Sequence, residues 1–156
     1  MKNILHIYCD LDGVLVDFNK GYYDLTGYDM NGQYRTDSNF YEPINNAGYS
    51  FWINLDWKKD GKELWNYIEK YTPILLSAPT KKNDSRVGKM DWVKRELPGT
   101  KLILRSSGNK KEFASPTSIL IDDLSSNIEQ WINAGGIGIL HTSTESSIKK
   151  LKKLDL

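Results

Sequence analysis

Cys9-Asp10-Leu11-Asp12-Gly13-Val14-Leu15 is the stretch whose reading decides the fold. It follows Ile4-Leu5-His6-Ile7-Tyr8, an apolar and partly β-branched run that reads as a buried strand. Two carboxylates spaced i, i+2 therefore stand where a strand ends, and open α/β sheets bind ligands at the carboxyl ends of their strands. Asp12-Gly13 between apolar residues is also a hairpin signal. Val14, Leu15, Phe18, Tyr22 and Leu25 follow at helical spacing, so the strand leads into a helix instead of turning back. Further on, Ser118-Ile119-Leu120-Ile121 is a second apolar run that ends in acid, Asp122-Asp123. Side by side, the two strands would crowd four carboxylates at one edge, which requires a shared proton or cation. A hard divalent ion with oxygen ligands meets that need, and Mg²⁺ held by few carboxylates is typical of phosphate chemistry.

Outward from these two acid pairs, strand-like and helix-like segments alternate. Residues 3–9, 73–77, 101–105, 118–122 and 136–141 read as strands, and segments near 61–71, 84–96, 125–134 and 145–154 as helices. Such alternation predicts a parallel sheet covered on both faces. Gly135-Gly136 closes one helix before the last strand. Residues 26–58 break the pattern, with Gly27, Gly32 and Gly48 among many Asn and Tyr. A stretch of that length without a period is expected to be lid-like or functional. It holds Phe51-Trp52 and Trp57, which either stack on a base or sugar or form the insertion's own small core.

The 156 residues allow one domain with a real core and a small insertion. Twenty-one basic against twenty acidic side chains give a formal charge of +1, which offers no global attraction to nucleic acid or membrane. No apolar stretch is long enough to span a bilayer and no signal-peptide pattern opens the chain. A single cysteine builds no disulfide framework and suits a reducing cytoplasm; Cys9, beside the acids, reads as a small buried hydrophobe. His6 and His141 are too far apart for metal-ligand spacing and read as structural. Ser77 ends a strand at the carboxyl edge, where a hydroxyl either donates to a phosphate oxygen or simply forms a turn. Lys89 lies on the next helix, where a lysine is commonly just solvated.

Together these features resemble the haloacid dehalogenase-like superfamily of phosphohydrolases. Its first motif, Asp-x-Asp-Gly-x-(Thr/Val)-(Leu/Val), is matched by Asp10 through Leu15, and its terminal acid pair by Asp122-Asp123. Ser77 and Lys89 match the intervening Ser/Thr and lysine. The chain is more narrowly similar to the 5′(3′)-deoxyribonucleotidases. Asp10–Phe18, Phe51-Trp52, Lys89 with Trp92-Val93, and Leu120–Asp123 carry that likeness. Two departures stand out: Leu124 replaces a frequent Arg, and a basic Arg-x-Lys segment is only loosely matched by Arg105, Lys110 and Lys111.

The resemblance implies an α/β fold, a three-layer Rossmann-like parallel sheet with a small, mainly helical cap inserted after the first strand. Residues 1–18 and 72–156 would form the core and 19–71 the cap. It implies a phosphomonoester hydrolase acting on nucleoside monophosphates, in which Asp10 attacks phosphorus and Asp12 is the acid and base. Ser77 and Lys89 would hold the equatorial oxygens. Gly13 and Ala78 would let backbone approach the phosphate, and Phe18, Phe51 and Trp52 would wall the nucleobase. Mg²⁺ would be held at Asp10, Asp12 (through its carbonyl) and Asp123, with Asp122 nearby or acting through water. No membrane and no stable nucleic-acid partner are expected, and a homodimer stays open. A sugar-phosphate or polynucleotide 3′-phosphatase would use the same core residues. A receiver-like phosphoacceptor domain also gathers acids, a hydroxyl and a lysine, yet its acceptor follows a middle strand, and no acid follows Leu75-Leu76-Ser77 here.

Overall fold

All five apolar runs become strands: β1 (His6–Cys9), β2 (Ile74–Ser77), β3 (Leu102–Leu104), β4 (Ser118–Asp122) and β5 (Ile137–Leu140). The computed structural model describes residues 5–30 and 39–156, so the start of the first run and Gly32 lie outside the described residues. The strands form one all-parallel sheet in the order β3-β2-β1-β4-β5. Chain order reverses between β1 and β4, since β1 leads away toward β2 whereas β4 leads toward β5. That reversal opens a crevice beyond the carboxyl ends of β1 and β4, the position where such sheets bind ligands.

The side-chain period of two sorts each strand onto two cores. Ile7, Cys9, Leu75, Ile119, Ile121 and Ile139 face helices α4 (Gly61–Ile68), α5 (Asn83–Glu96) and α7 (Thr144–Lys152). Tyr8, Leu76, Leu120 and Leu140 face the other side, against Ile128 and Trp131 of α6 (Ser125–Asn133) and Phe113 of a 3₁₀ segment, Ser107–Phe113. Three layers result, as expected. Trp131 is completely buried and its indole N–H donates to the Ser118 carbonyl at 3.2 Å, so truncating it to Ala would cost about 3–5 kcal/mol.

The expected insertion, residues 19–71, divides in two. Helices α1 (Phe18–Thr26), α2 (Glu42–Ala47) and α3 (Tyr49–Ile53) stand beside the crevice, whereas α4 packs against α7 in the first helical layer. The first helix begins later than its spacing predicted. Asp17 caps it by accepting from the Lys20 N–H at 3.0 Å, while residues 11–16 form a tight loop whose Leu11 carbonyl accepts from Val14, Leu15 and Val16. Val14 and Leu15 are buried in that loop, not on a helix face, and Leu25 is exposed. No helix among the described residues is long and apolar enough to cross a membrane.

His141 follows β5 and is buried, with Nδ1 2.7 Å from the Ser147 hydroxyl and Nε2 without a partner among the described residues. Burial first, and the charge of Lys58 second, push its pKa down to about 4. The folded state therefore holds the ring neutral where the unfolded chain, with an ordinary value near ~6.5, already takes a proton. Stability is full above that value and is lost as pH falls toward about 4. Denaturant unfolding should show about 1–2 kcal/mol of this loss between pH 7 and pH 5, and His141→Gln should flatten the profile by that amount.

Candidate active site

Strand pairing brings the two acid pairs together. Cys9 is in register with Ile121, and the Asp10 N–H continues the ladder by donating to the Ile121 carbonyl at 2.9 Å. Asp10 and Asp122 thus end neighbouring strands, both buried. Lys110 reaches between them from the 3₁₀ segment, 3.1 Å from Asp10 Oδ1 and 2.8 Å from Asp122 Oδ2. Burial alone would lower the pKa of this ammonium, but the charges of Asp10 and Asp122 outweigh it and hold the value above the usual range. Burial, and then the charge of Asp122, push Asp10 well above the ordinary carboxylate value. The Cys9 thiol is pushed up by burial and by Asp10, so it stays protonated, in keeping with a buried hydrophobe.

A second lysine serves the other acid. Lys89 Nζ donates to Asp12 Oδ2 and to Ser77 Oγ, the latter at 3.0 Å, and lies 4.8 Å from the centroid of the Trp52 ring. Its side chain is 3% exposed, so it is not a solvated surface lysine. Asp10, Asp12, Ser77, Ala78, Lys110 and Asp123 line one cavity of about 430 Å³. Of the lysines weighed from sequence, Lys89 sits with Asp12 and Ser77, while Lys110, which matched the family pattern only loosely, neutralises Asp10. The sequence signal for Lys110 was weak: two adjacent lysines, with nothing to say which points inward.

The four acids differ in what they can still bind. Both oxygens of Asp122 already accept from protein donors: Oδ1 from the Leu124 N–H at 2.9 Å, and Oδ2 from Lys110 and from Asn127 Nδ2 at 3.0 Å. The Asp12 carboxylate belongs to Lys89. Both carboxylates are thus occupied by protein donors, which leaves the Asp12 backbone carbonyl and a place for Asp122 beside the ion as the parts that the expectation gave them. Asp123 has no cationic partner among the described residues, and burial plus the charge of Asp122 push its pKa up to about 6. Among those residues Asp10, Asp122 and Asp123 offer oxygens within 4.8 Å of one another. Four carboxylates against two ammonium groups leave negative charge unbalanced, and the donors are all oxygen, so the set fits a hard divalent cation. Asn127 adds a buried Oδ1 with no partner among the described residues, on the same cavity wall. Its position four residues after Asp123, in the first turn of α6, was the signal that sequence reading passed over.

Gly13 shapes the loop in two ways. Its N–H is taken by the Val16 carbonyl at 2.9 Å, so it does not offer that amide to a ligand. A Cβ at its φ of +83° would stand 2.0 Å from Asp123 Oδ2, so glycine makes room for the carboxylate. In the loop 11–16, only the Asp12 N–H lacks a partner among the described residues. The aromatic wall is also redistributed. Phe18 and Trp52 line the cavity together with Phe40 and Tyr41, which fall in a stretch that carried no legible pattern. Phe51 does not line it; it packs edge-on against Phe18 and Trp52 at 5.6 and 5.1 Å. Trp57 is structural, bridged to Val16 and lying 5.1 Å from Trp92.

No protein-family model matches the sequence, and no curated protein matches it. Solved structures do. A hydrolase from Streptococcus pneumoniae TIGR4 aligns with a TM-score of 0.55 at 17% identity, covering 99% of this chain and 100% of that one. A HAD-superfamily hydrolase from Ehrlichia chaffeensis gives 0.56 at 14% identity, with 100% of both chains covered. A hydrolase from Pseudomonas syringae gives 0.53 at 11%, covering 96% and 98%. This chain has the HAD-like hydrolase fold.

Replacing Lys110 by Met would leave two buried carboxylates facing each other. Unfolding in denaturant at pH 7 should show a loss of about 3–5 kcal/mol, part of which returns in the double variant Lys110→Met/Asp122→Asn.

Proposed function

We propose that this chain is a Mg²⁺-dependent phosphomonoester hydrolase acting through an aspartyl-phosphate, with (deoxy)nucleoside monophosphates as its substrates. The observation that carries the reading is Asp10, a buried carboxylate at the switch point of the sheet, flanked by Lys110 and by the Asp12–Lys89–Ser77 group. A carboxylate so placed is a known nucleophile toward phosphorus. The fold shared with hydrolases supports the same class. The strand order 3-2-1-4-5 also differs from the 2-1-3-4-5 order of flavodoxin-like receiver folds, which weighs against a phospho-switch.

In the first step an Asp10 oxygen bonds to phosphorus as the ester P–O bond breaks, and the departing oxygen takes a proton from Asp12. In the second, water attacks phosphorus, gives its proton to Asp12, and the bond to Asp10 breaks to release inorganic phosphate. Asp12 thus alternates between acid and base, a service worth roughly 10²–10⁴-fold. Ser77 and Lys89, 3.0 Å apart, are set to hold the non-bridging oxygens, where charge lies in the transition state. The free Asp12 N–H adds a backbone donor. Asp10, Asp123 and the Asp12 carbonyl would hold Mg²⁺. Bound there, the ion supplies positive charge that offsets repulsion between an anionic nucleophile and an anionic phosphate. Phe18, Phe40 and Trp52 give the organic half an apolar wall, which favours a flat base over a sugar.

A panel of nucleoside monophosphates, sugar phosphates and an oligonucleotide 3′-phosphate, assayed with and without Mg²⁺, tests the whole reading. Nucleotides should lead, chelation should stop turnover, and Asp10→Asn should abolish it in a folded protein. Wild-type rates from Asp10→Asn would end the covalent mechanism. In a Mg²⁺ titration of activity, Asp123→Asn should raise the half-saturating concentration far more than Asp122→Asn, whose main effect should be a lower Tm. Stacking is worth roughly 1–3 kcal/mol per base, so Trp52→Ala should raise KM for a nucleotide much more than for a small aryl phosphate. Equal harm to every substrate would favour a sugar phosphate or another ester.

A further inference from the structure

Among the polar groups on the cavity wall that the mechanism leaves unused, Tyr41 is the largest. Tyr41 immediately precedes α2 and lines the cavity that holds Asp12. It is 46% exposed, against 4% for Phe18, 1% for Phe40 and 4% for Trp52 on the same wall. Those three are largely covered by their neighbours, although each lines the cavity. Tyr41 alone among them presents ring and hydroxyl together.

Its position is set from behind. The ring meets Phe40 edge-on, with centroids 4.9 Å apart at 89°, and Phe40 is stacked on Tyr22 at 4.5 Å. The Tyr22 hydroxyl fastens that stack by donating to the Phe40 carbonyl at 3.0 Å. The Tyr41 hydroxyl has no hydrogen-bond partner among the described residues. Burial, and then the charge of Asp12, push its pKa up, so the phenol keeps its proton and stands within the field of that carboxylate. A fixed ring with an unpartnered O–H donor beside the residue that serves the leaving oxygen is poised to meet the leaving group.

We propose that Tyr41 is a specificity-determining residue on the leaving-group side, donating a hydrogen bond to the ester oxygen, or to a neighbouring hydroxyl, of an alkyl phosphate such as a nucleoside or sugar monophosphate. This rests on the phosphohydrolase reading. Charge on the departing oxygen is larger and less delocalised for an alkoxide than for an aryl oxide. A donor there therefore favours alkyl esters, and it raises kcat because it strengthens as the bond breaks.

The test compares two substrates in steady state: the fastest alkyl ester of the panel, and p-nitrophenyl phosphate. Tyr41→Phe should lower kcat/KM for the alkyl ester up to about tenfold more than for the aryl ester, the worth of one hydrogen bond, with the loss mainly in kcat. Tyr41→Leu, which also removes the ring, should add a rise in KM for the alkyl ester. Equal losses on both substrates, the result of a merely structural role, overturn the proposal, and so does no loss on either. Wild-type protein that hydrolyses neither ester overturns the phosphohydrolase reading and the proposal with it. An active wild type with a uniform loss in Tyr41→Phe overturns the proposal alone.

Discussion

The Lys110 ammonium between Asp10 and Asp122 is the constraint on which the site depends. Parallel pairing of β1 with β4 forces two carboxylates to end neighbouring strands in a buried crevice. Unpaired, either charge would cost several kcal/mol, and together they would repel. One lysine removes both penalties, and Asn127 and the Leu124 amide complete the shell of Asp122. Asp122 is thereby a fixed anion that anchors Lys110. Asp10 keeps a carboxylate oxygen that neither Lys110 nor the Leu11 amide claims, since both meet Oδ1. Asp122 and the proposed nucleophile Asp10 are thus told apart by hydrogen bonding alone, although both are aspartates at strand ends.

The tight loop after Asp10 carries the next level of order. Three amides converge on the Leu11 carbonyl, Gly13 turns with positive φ, and Asp123 fills the space where a side chain would be. The same loop receives the segment that returns from the insertion. Lys58 N–H donates to the Leu15 carbonyl, Asp17 N–H donates to Asp56 O, both at 2.8 Å, and Gly61 lies so close to Leu15 that a Cβ would be 2.6 Å from its carbonyl oxygen. Asp60 then joins α7, accepting from the Thr144 N–H at 2.9 Å. The insertion is consequently tied to the core at the place where its chain leaves and returns.

How much of this was legible in the sequence follows from how local each cause is. Strands such as Ser118–Asp122 are buried on both faces and read as unbroken apolar runs, so the sheet was visible. The four carboxylates were visible because strand ends are where apolar runs stop. Register decides partners, however, and it is not a local property: the sequence offered Lys89, Lys110 and Lys111 without saying which acid each would meet. Phe40 and Tyr41 were missed for a related reason. The helix beginning at Glu42 has six residues, too few to display a period, and its position comes from stacking on Tyr22 across the insertion. Val14 and Leu15 misled because a buried loop and a helix face both call for apolar residues.

Lys89 links the insertion to the acid cluster. Its helix meets α3 at Gly88, where a Cβ would stand 2.3 Å from that of Trp52, and its ammonium lies over the Trp52 ring. The same ammonium contacts Asp12 and Ser77. The neighbouring turn adds two more fastenings, with the Tyr49 hydroxyl donating to Asp91 and the Trp92 indole donating to the Leu55 carbonyl, both at 2.8 Å. With so many ties across one helix pair, α3 is held as a fixed wall of the cavity. A cation that shares its contacts between an aromatic face and an acid couples the two electrostatically. Any group that covers Trp52 therefore lies next to the ammonium that holds Asp12, so that under the proposed reading the choice of the organic half and the state of the acid would be settled within a few ångströms of one lysine.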